Sequence, residues 1–193
     1  MILVLFSGGL DSMVLCEHVL QETNLELVTL FFRYRHPAAP QEYEAVSEWL
    51  RRGHVDGYAG RHIDMDLPLW GSEALNIGIG EAGPRVLANR NQVMVSMAVN
   101  IAASIGAKEV WYGANLDDAE DYPDCTPTWV NMMNRLGREW GVGVRAPLLY
   151  KTKAQIKEEA AQLGVHGWWS CYEPRDGKPC GTCNSCVANG GQS

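Results

Sequence analysis

The sequence predicts an α/β fold in which a doubly wound parallel sheet carries helices on both faces. Short apolar runs typical of buried strands alternate with longer segments of helical spacing. The sequence shows no internal repeat. The 193 residues, 46% of them hydrophobic, suffice for one such core with a small appendage. Ligands of these sheets bind at the carboxyl ends of the strands, so the loops that follow strands are the first places to look for a site.

The expected strands are short and apolar. The first, Ile-Leu-Val-Leu-Phe, runs straight into a glycine-rich turn, and the second is an apolar run before Arg33. The predicted strands are 2–6, 25–32, a short piece near 61–63, 109–112 and 143–145.

Helical spacing fills the segments between these strands. The segment after the second strand, for example, places Val46 and Trp49 on one face. The predicted helices are 13–21, 41–52, 91–105, 128–140 and 153–163. Glycine-rich residues 67–88 predict a mobile loop near a site, and residues 114–127 a long polar loop.

Composition narrows the function classes. The net charge is −7, from 16 basic and 23 acidic residues, which argues against a nucleic-acid partner but leaves a local basic patch open. No apolar run approaches a membrane span, and the apolar start lacks the charged region of a signal peptide. We therefore expect a cytoplasmic protein without a membrane partner, in which clustered cysteines bind metal and do not form disulfides.

A glycine-rich loop follows the first strand and reads Ser7-Gly8-Gly9-Leu10-Asp11-Ser12. The two glycines let the backbone approach a ligand, and the next helix points its N-terminal amides at it. The serines add hydroxyl donors, and Asp11 either caps the helix or holds a magnesium ion that bridges phosphates. An ordinary strand–turn–helix is the alternative, but the full string favours phosphate binding without a Walker-type lysine.

Four cysteines near the C-terminus have the spacing C-x8-C-x2-C-x2-C; they are Cys171, Cys180, Cys183 and Cys186. Two-residue gaps let successive thiolates converge on one tetrahedral ion, and four ligands leave no open position. We expect a structural zinc, against the alternatives of chance clustering or a redox pair. Cys16, in the first helix, is expected to be a small core residue.

The glycine-rich loop resembles the PP-loop of ATP pyrophosphatases, whose fold is adenine nucleotide alpha hydrolase-like. With further motifs, the whole chain resembles the 7-cyano-7-deazaguanine synthases of queuosine and archaeosine precursor synthesis. Those motifs are Arg90-Asn91, Gly113-Ala114-Asn115 with Asp117, Tyr122-Pro123-Asp124-Cys125, Pro147-Leu148, Thr152-Lys153-Ala154 with Ile156, and the cysteine string.

This resemblance implies an ATP-dependent carbon–nitrogen ligase that uses Mg²⁺ and carries Zn²⁺. Its substrates would be 7-carboxy-7-deazaguanine and ammonia, joined through adenylated intermediates first to an amide and then to the nitrile. The resemblance also implies two parts, a PP-loop catalytic domain over residues 1–167 and a zinc-binding segment over 168–193.

Site roles carry over from the resemblance residue by residue. The catalytic set would be Asp11, Arg90, Asp117 and Lys153, and residues 7–12 would hold the nucleotide. The substrate set would be Arg90, Asn91, Asn115, Asp117, Tyr122, Asp124 and Cys125. Each has an ordinary alternative: a surface arginine, a loop-capping aspartate, a solvated lysine. For Cys125 we favour site lining over nucleophilic attack, because adenylation already activates the substrate.

Two strings depart from the family pattern, namely Arg33-Tyr34-Arg35-His36 and Leu87-Ala88-Asn89. The first adds two positive charges near the expected site. The departures suit a divergent member that stops at the 7-amido product or couples the deazapurine to another acceptor, as in phage DNA modification or defence.

Other interpretations also stay open. A tRNA-modifying PP-loop enzyme and a non-catalytic binding module are alternatives, disfavoured by the acidic charge and the intact loop respectively. Seven tryptophans would suit either a homodimer interface or a single-domain core. The sequence contains no glutaminase domain, so ammonia would come free or from a partner.

Overall fold

The computed structural model describes residues 1–54, 60–69, 87 and 89–190. Within them the strands are β1 Ile2–Leu5, β2 Leu27–Arg33, β3 Gly60–Asp66, β4 Glu109–Trp111 and β5 Gly143–Arg145. The helices are α1 Leu10–Glu22, α2 Ala39–Trp49, α3 Arg90–Ile105, α4 Pro127–Arg138, α5 Lys153–Leu163 and α6 Asn184–Ala188. The loop predicted over residues 67–88 lies mostly outside the described residues.

These strands form one sheet in the order β3-β2-β1-β4-β5, and all neighbours run parallel. β1 is central: Ile2 is in register with Leu27 on one side and with Glu109 on the other. The carboxyl ends of β1, β2 and β4 therefore meet at one edge, where the loops after residues 5, 33 and 111 begin.

Two apolar layers cover the two faces of the sheet. Successive side chains of a strand point to opposite faces, so Leu3 enters the layer with α3 and α4, whereas Ile2 and Val4 enter the layer with α1, α2 and α5. Leu3 and Val4 are both 0% exposed. Burial on both faces confirms the doubly wound arrangement predicted from the sequence.

The element boundaries differ from the predicted ones in two informative places. α1 begins at Leu10, inside the glycine-rich loop, so the second half of that loop is helical. β3 is seven residues long, longer than predicted. Its polar sequence left only the piece near 61–63 recognisable, because an edge strand exposes part of its surface and does not need a continuous apolar run. None of the helices in the described ranges is long and apolar enough to cross a membrane.

Candidate active site

The loop between β1 and α1 is held in one conformation by close packing. Gly8 has φ +76°, a left-handed conformation that favours glycine. A Cβ at Gly8 would lie 2.9 Å from the carbonyl oxygen of Glu42 and 3.1 Å from Val46. Glycine is therefore required both by the backbone conformation and by the neighbouring helix α2.

The buried side chain of Ser12 hydrogen-bonds the backbone of this loop. Its hydroxyl donates to the carbonyl oxygen of Gly9 at 2.9 Å and accepts from the backbone N–H of Ser7 at 3.2 Å. The Ser12 side chain is buried, and that of Ser7 is exposed. Leu10 buries its side chain, so it can offer only its backbone to a ligand.

The N-terminus of α1 suits an anion. Gly9 is its N-cap and provides no side-chain hydrogen bond to the first turn. The unpaired N–H groups and the helix dipole therefore face the loop edge. This is the feature that the sequence predicted for the triphosphate of ATP.

Asp11 is the centre of a polar cluster at the start of α1. The Nζ of Lys153, at the first turn of α5, donates to both Asp11 carboxylate oxygens at 2.7 and 3.0 Å. The buried amide of Asn115 donates from Nδ2 to Asp11 at 3.1 Å and to Asp118 at 2.6 Å. Three chain segments far apart in sequence thus meet at one point.

The charges of this cluster are strongly coupled. Burial would lower the pKa of Lys153, but the carboxylates of Asp11 and Asp118 outweigh it and raise that pKa, so Lys153 is a cation. Burial raises the pKa of Asp118, against the opposing effect of Lys153. One lysine cation, Lys153, thus lies among the carboxyl groups of Asp11 and Asp118.

Asp117 lies beside this cluster but faces another way. Its carboxylate accepts from the backbone N–H of Lys153 at 2.7 Å, at the start of α5. Thr152 and Gln155 complete the capping of that helix with a reciprocal pair of hydrogen bonds. The contact of Asp117 supports the position of Lys153, and a catalytic role for Asp117 stays a prediction.

Arg90 opens α3 and binds a side chain from the divergent string after β2. Its Nη1 donates to the Tyr34 hydroxyl at 3.1 Å. Tyr34 stacks on His36, with ring centroids 4.4 Å apart. The Nε2 of His36 lies 3.2 Å from the Oε2 of Glu42. Interaction with Tyr34 raises the pKa of Arg90 despite burial, so the guanidinium remains charged.

Two more tyrosines belong to the same region. Although 43% of Tyr172 is exposed, desolvation of its phenol, followed by the influence of Tyr122 and Asp118, raises the pKa of this side chain. Burial and Asp118 also raise the pKa of Tyr122. Both phenols are neutral, although the positive charge of Arg90 acts to lower the pKa of each.

The two added arginines of the divergent string behave differently from each other. Arg33 pairs with Asp66 at 3.0 Å and with Asp64 at 3.5 Å, so acidic residues of β3 neutralise its charge. Arg35 is exposed, and no ion pair joins it to another described residue. The positive charge that Arg33 adds therefore has two acidic partners on β3, whereas that of Arg35 has no ion-pair partner among the described residues.

Cys125 and Asp124 form part of the long loop after β4. Burial, reinforced by Asp118 and Asp124, raises the pKa of the Cys125 thiol to about 12, so the thiol is neutral at physiological pH. The carbonyl oxygen of Asp124 accepts from the Tyr112 hydroxyl at 3.1 Å. Asn91 is half-buried in the first turn of α3, next to Arg90.

The four C-terminal cysteines converge as their spacing predicted. The Sγ atoms of Cys171, Cys180, Cys183 and Cys186 all lie within 4.8 Å of one another. That separation and an all-thiol ligand set fit a tetrahedral zinc ion. Within the described residues, this is the one group of three or more cysteine, histidine or acidic side chains whose ligand atoms converge closely enough to hold a metal.

Backbone groups of the same turn stabilise the sulfur atoms. Burial raises the pKa of Cys180, but hydrogen bonds from the backbone N–H groups of Thr182 and Cys183 outweigh it and lower the pKa to about 6. Cys186 N–H donates similarly to Cys183 Sγ at 3.4 Å. Cys16, by contrast, is fully buried in the apolar layer with α1, as expected of a core residue.

Comparison with known proteins identifies the family. Residues 1–190 match the family model described as "Queuosine biosynthesis protein QueC". The chain belongs to this family. Relatives of this QueC chain include the 7-cyano-7-deazaguanine synthases of Novosphingobium aromaticivorans and Hahella chejuensis, each 36% identical. The first alignment covers 95% of this chain and 85% of the relative, and the second 95% and 84%.

Solved structures of more distant proteins share the fold. The U34-tRNA thiolase NcsA from Methanococcus maripaludis matches 93% of this chain with a TM-score of 0.57 at 14% identity. NMN synthetase from Francisella tularensis matches 86% with a TM-score of 0.50 at 17% identity. This chain spans 61% and 62% of their lengths. At these identities the likeness concerns the fold alone, and it agrees with the predicted α/β fold.

Sequence reasoning missed three residues of the site. Asp118 was passed over for Asp117, although both follow the Gly-Ala-Asn string, and Tyr34 lay in a string read only as a departure. Tyr172 was hidden within the cysteine string. The sequence does offer one signal for Tyr172, which directly follows Cys171. A residue next to a metal ligand is held in a defined position.

Proposed function

We propose that this chain is an ATP-dependent ligase that converts 7-carboxy-7-deazaguanine and ammonia into 7-cyano-7-deazaguanine. The observation that carries the proposal is the joining of Asp11, Asn115, Asp118 and Lys153 at the N-terminus of α1, in a chain of the QueC family. Relatives named for this synthase activity align along 95% of the chain.

The β- and γ-phosphates of ATP would lie over the anion loop. The backbone N–H groups of the first turn of α1 and the Nζ of Lys153 would neutralise the charge that builds on the departing pyrophosphate. The Asp11 carboxylate offers oxygen ligands of the kind that Mg²⁺ prefers. Asp11 would hold Mg²⁺ at this point, and the ion would supply positive charge that stabilises the departing pyrophosphate.

The deazaguanine would lie towards Arg90 and its tyrosines. Arg90 remains cationic, so it can pair with the 7-carboxylate or the α-phosphate, and a bidentate pair would orient the group. Tyr34, Tyr122 and Tyr172 are neutral phenols that can pack against a flat ring and hydrogen-bond its edge. Asn91, Asp117, Asp124 and Cys125 complete the proposed surroundings as supporting or lining residues.

The chemistry would take place in two rounds at this one site. A carboxylate oxygen attacks the α-phosphorus and releases pyrophosphate, and ammonia then displaces AMP to form the amide. The amide oxygen attacks a second ATP in the same way, and loss of AMP with two protons leaves the nitrile. Both rounds convert an oxygen into a leaving group, so they need the same charge stabilisation.

Several broader expectations belong to this proposal. The four cysteines would hold a structural zinc in a segment starting at residue 168, attached to the catalytic domain before it. The enzyme would work in the cytoplasm on small molecules, without a nucleic-acid or membrane partner. Trp168 and Trp169 pack against the apolar layer with α1, which supports the single-domain explanation of these tryptophans over a homodimer interface.

Mass spectrometry of a reaction with the deazapurine acid, ammonium, ATP and magnesium tests the proposal. We expect the nitrile together with AMP and pyrophosphate. Accumulation of the amide would limit the chain to one round. AMP without a new base would indicate another acceptor, and absence of AMP would overturn the proposed reaction.

A further inference from the structure

Trp169 joins the cysteine cluster to the anion loop. Its backbone N–H donates to the carbonyl oxygen of Gly8 at 2.9 Å, and its indole Nε1–H donates to the carbonyl oxygen of Cys171 at 2.8 Å. A Cβ on Gly9 would lie 3.5 Å from the Trp169 carbonyl oxygen. One residue therefore contacts both glycines of the loop and the first cysteine of the cluster.

Gly8 contacts both this tryptophan and helix α2. A Cβ added at Gly8 would lie only 2.9 Å from the carbonyl oxygen of Glu42, so helix α2 leaves no room for a side chain there. Two contacts therefore support the left-handed conformation of Gly8, namely its packing against α2 and the hydrogen bond from Trp169. If Trp169 shifts, the loop loses one of its two supports.

A second connection runs through α5. Lys157 Nζ donates to the carbonyl oxygen of Ala188, at the end of α6 in the cysteine segment, at 2.7 Å. Lys153 lies four residues earlier on the same helix, hence on the same face, and binds Asp11. The cysteine segment is consequently attached at two points, to the anion loop through Trp169 and to the helix that carries Lys153 through Lys157.

The cysteine segment is also closed on itself. Asn189 Nδ2 donates to Ser170 Oγ at 3.0 Å, which ties the end of the segment to the residue before Cys171. Cys171 and Cys186 are each 1% exposed. A metal held by the four sulfur atoms would therefore fix the backbone on both sides of Trp169.

We propose that Trp169 couples metal binding at the four cysteines to nucleotide binding at the anion loop. With metal bound, Cys171 is fixed, its carbonyl holds the indole, and the Trp169 backbone holds Gly8 in the conformation that presents the N–H groups of α1. Without metal, ATP must order the loop itself, which weakens its binding. Linkage requires the reciprocal effect, so bound nucleotide slows metal loss.

This inference rests on the proposed binding of ATP at the anion loop, but not on the identity of the second substrate. Trp169 acts here as a positioning residue, because its contacts are with the loop backbone and with Cys171. Its effect should therefore appear in nucleotide affinity and metal retention, which a purely structural tryptophan would leave uncoupled.

The test compares Trp169→Phe with Trp168→Phe in the metal-loaded protein. Trp168 packs against the same apolar layer, but its indole nitrogen is buried without a hydrogen-bond partner among the described residues, so it is a matched control. Calorimetry would give the affinity for the α,β-methylene analogue of ATP with magnesium. A chromogenic chelator would give the rate of metal release with and without that analogue.

We expect the analogue to slow metal release from the wild type by about 2- to 10-fold, the effect of one hydrogen bond. Trp169→Phe should bind the analogue weaker by a similar factor and lose the slowing, whereas Trp168→Phe should keep both. Equal behaviour of the two variants, or wild-type metal release unaffected by bound analogue, would overturn the coupling. The release comparison in the wild type holds even if a variant folds poorly.

The outcomes also separate this inference from the proposed function. Nitrile formation together with uncoupled metal release would overturn the role of Trp169 alone. Failure of the wild type to bind the analogue would overturn both proposals.

Discussion

Asp11 and Lys153 lie 142 positions apart in the sequence, yet Lys153 Nζ is 2.7 Å from one carboxylate oxygen of Asp11 and 3.0 Å from the other. The pair forms because the loop after β1 and the start of α5 meet at the carboxyl edge of the sheet. Its two charges neutralise each other. In the proposed reaction Lys153 would instead neutralise phosphate charge, and Asp11 would hold Mg²⁺.

We expect Asp11→Asn to lower turnover by about 100-fold or more, the usual effect of removing a group that stabilises transition-state charge. The amide keeps the size of the side chain but has no charge to hold magnesium or to pair with Lys153. The rate of AMP formation measures the effect. Glu120→Gln is the control, because Glu120 is an exposed acid of the loop after β4. Equal rates for the two variants would refute the role of Asp11.

Much of the fold could be predicted because burial leaves a direct pattern in the sequence. The wholly apolar run of β1 and the spacing of the four cysteines each predicted the observed arrangement. β3 was harder, since polar side chains are tolerated on an edge strand and weaken the pattern.

The site was less predictable because its contacts cross long stretches of sequence. Nothing local distinguishes Asp118 from Asp117; only the fold turns Asp118 towards Asn115 and Asp117 towards the N-terminus of α5. The bond between Trp169 and Gly8 joins two backbones, and no side-chain pattern encodes it.

Gly8→Ala should destabilise the chain more than Gly177→Ala does. Both glycines have a left-handed conformation, with φ +76° and +75°, so alanine costs about 1–2 kcal/mol at either position. A Cβ at Gly177 meets nothing within 4 Å, whereas at Gly8 it meets the Glu42 carbonyl oxygen. We expect about 1–3 kcal/mol more from this overlap. Urea unfolding measures both, and equal losses would show that the overlap relaxes without cost.

Asp118→Asn should stabilise the chain at neutral pH while lowering activity. Burial raises the pKa of Asp118 even though Lys153 opposes it, so the protonated acid stabilises the folded state at low pH. That contribution is lost as the pH rises through the raised pKa. Because asparagine mimics the protonated form, the gain in Tm should be smallest at acidic pH and should grow as the pH rises through the raised pKa of Asp118 towards neutral pH.

Thermal unfolding across this pH range decides the matter. A gain that is constant with pH would mean that the ionisation of Asp118 does not affect stability. A gain that shrinks towards neutral pH would show that Lys153 dominates and that the pKa is lowered. The Asp118→Asn comparison can be repeated in a Lys153→Met protein. There the gain in Tm should depend more strongly on pH, because the cation that opposes the rise in the Asp118 pKa is removed.

Cysteine substitutions should separate metal binding from chemistry. Cys183→Ser removes one of four converging sulfur atoms, so we expect metal content to fall from about one zinc per chain to a small fraction. Cys125→Ala should keep its metal, because Cys125 lies in the apolar layer with α3 and α4, outside the cluster. Elemental analysis of freshly purified proteins measures both contents.

The same Cys125→Ala variant tests whether the thiol attacks the substrate. Its pKa, raised to about 12 by burial and by Asp118, keeps the thiol protonated, and a protonated thiol is a poor nucleophile. We therefore expect turnover within about threefold of wild type, with a modest loss of stability from the small cavity. A loss approaching that of Asp11→Asn, in a variant that still binds the ATP analogue, would instead make Cys125 part of the chemistry.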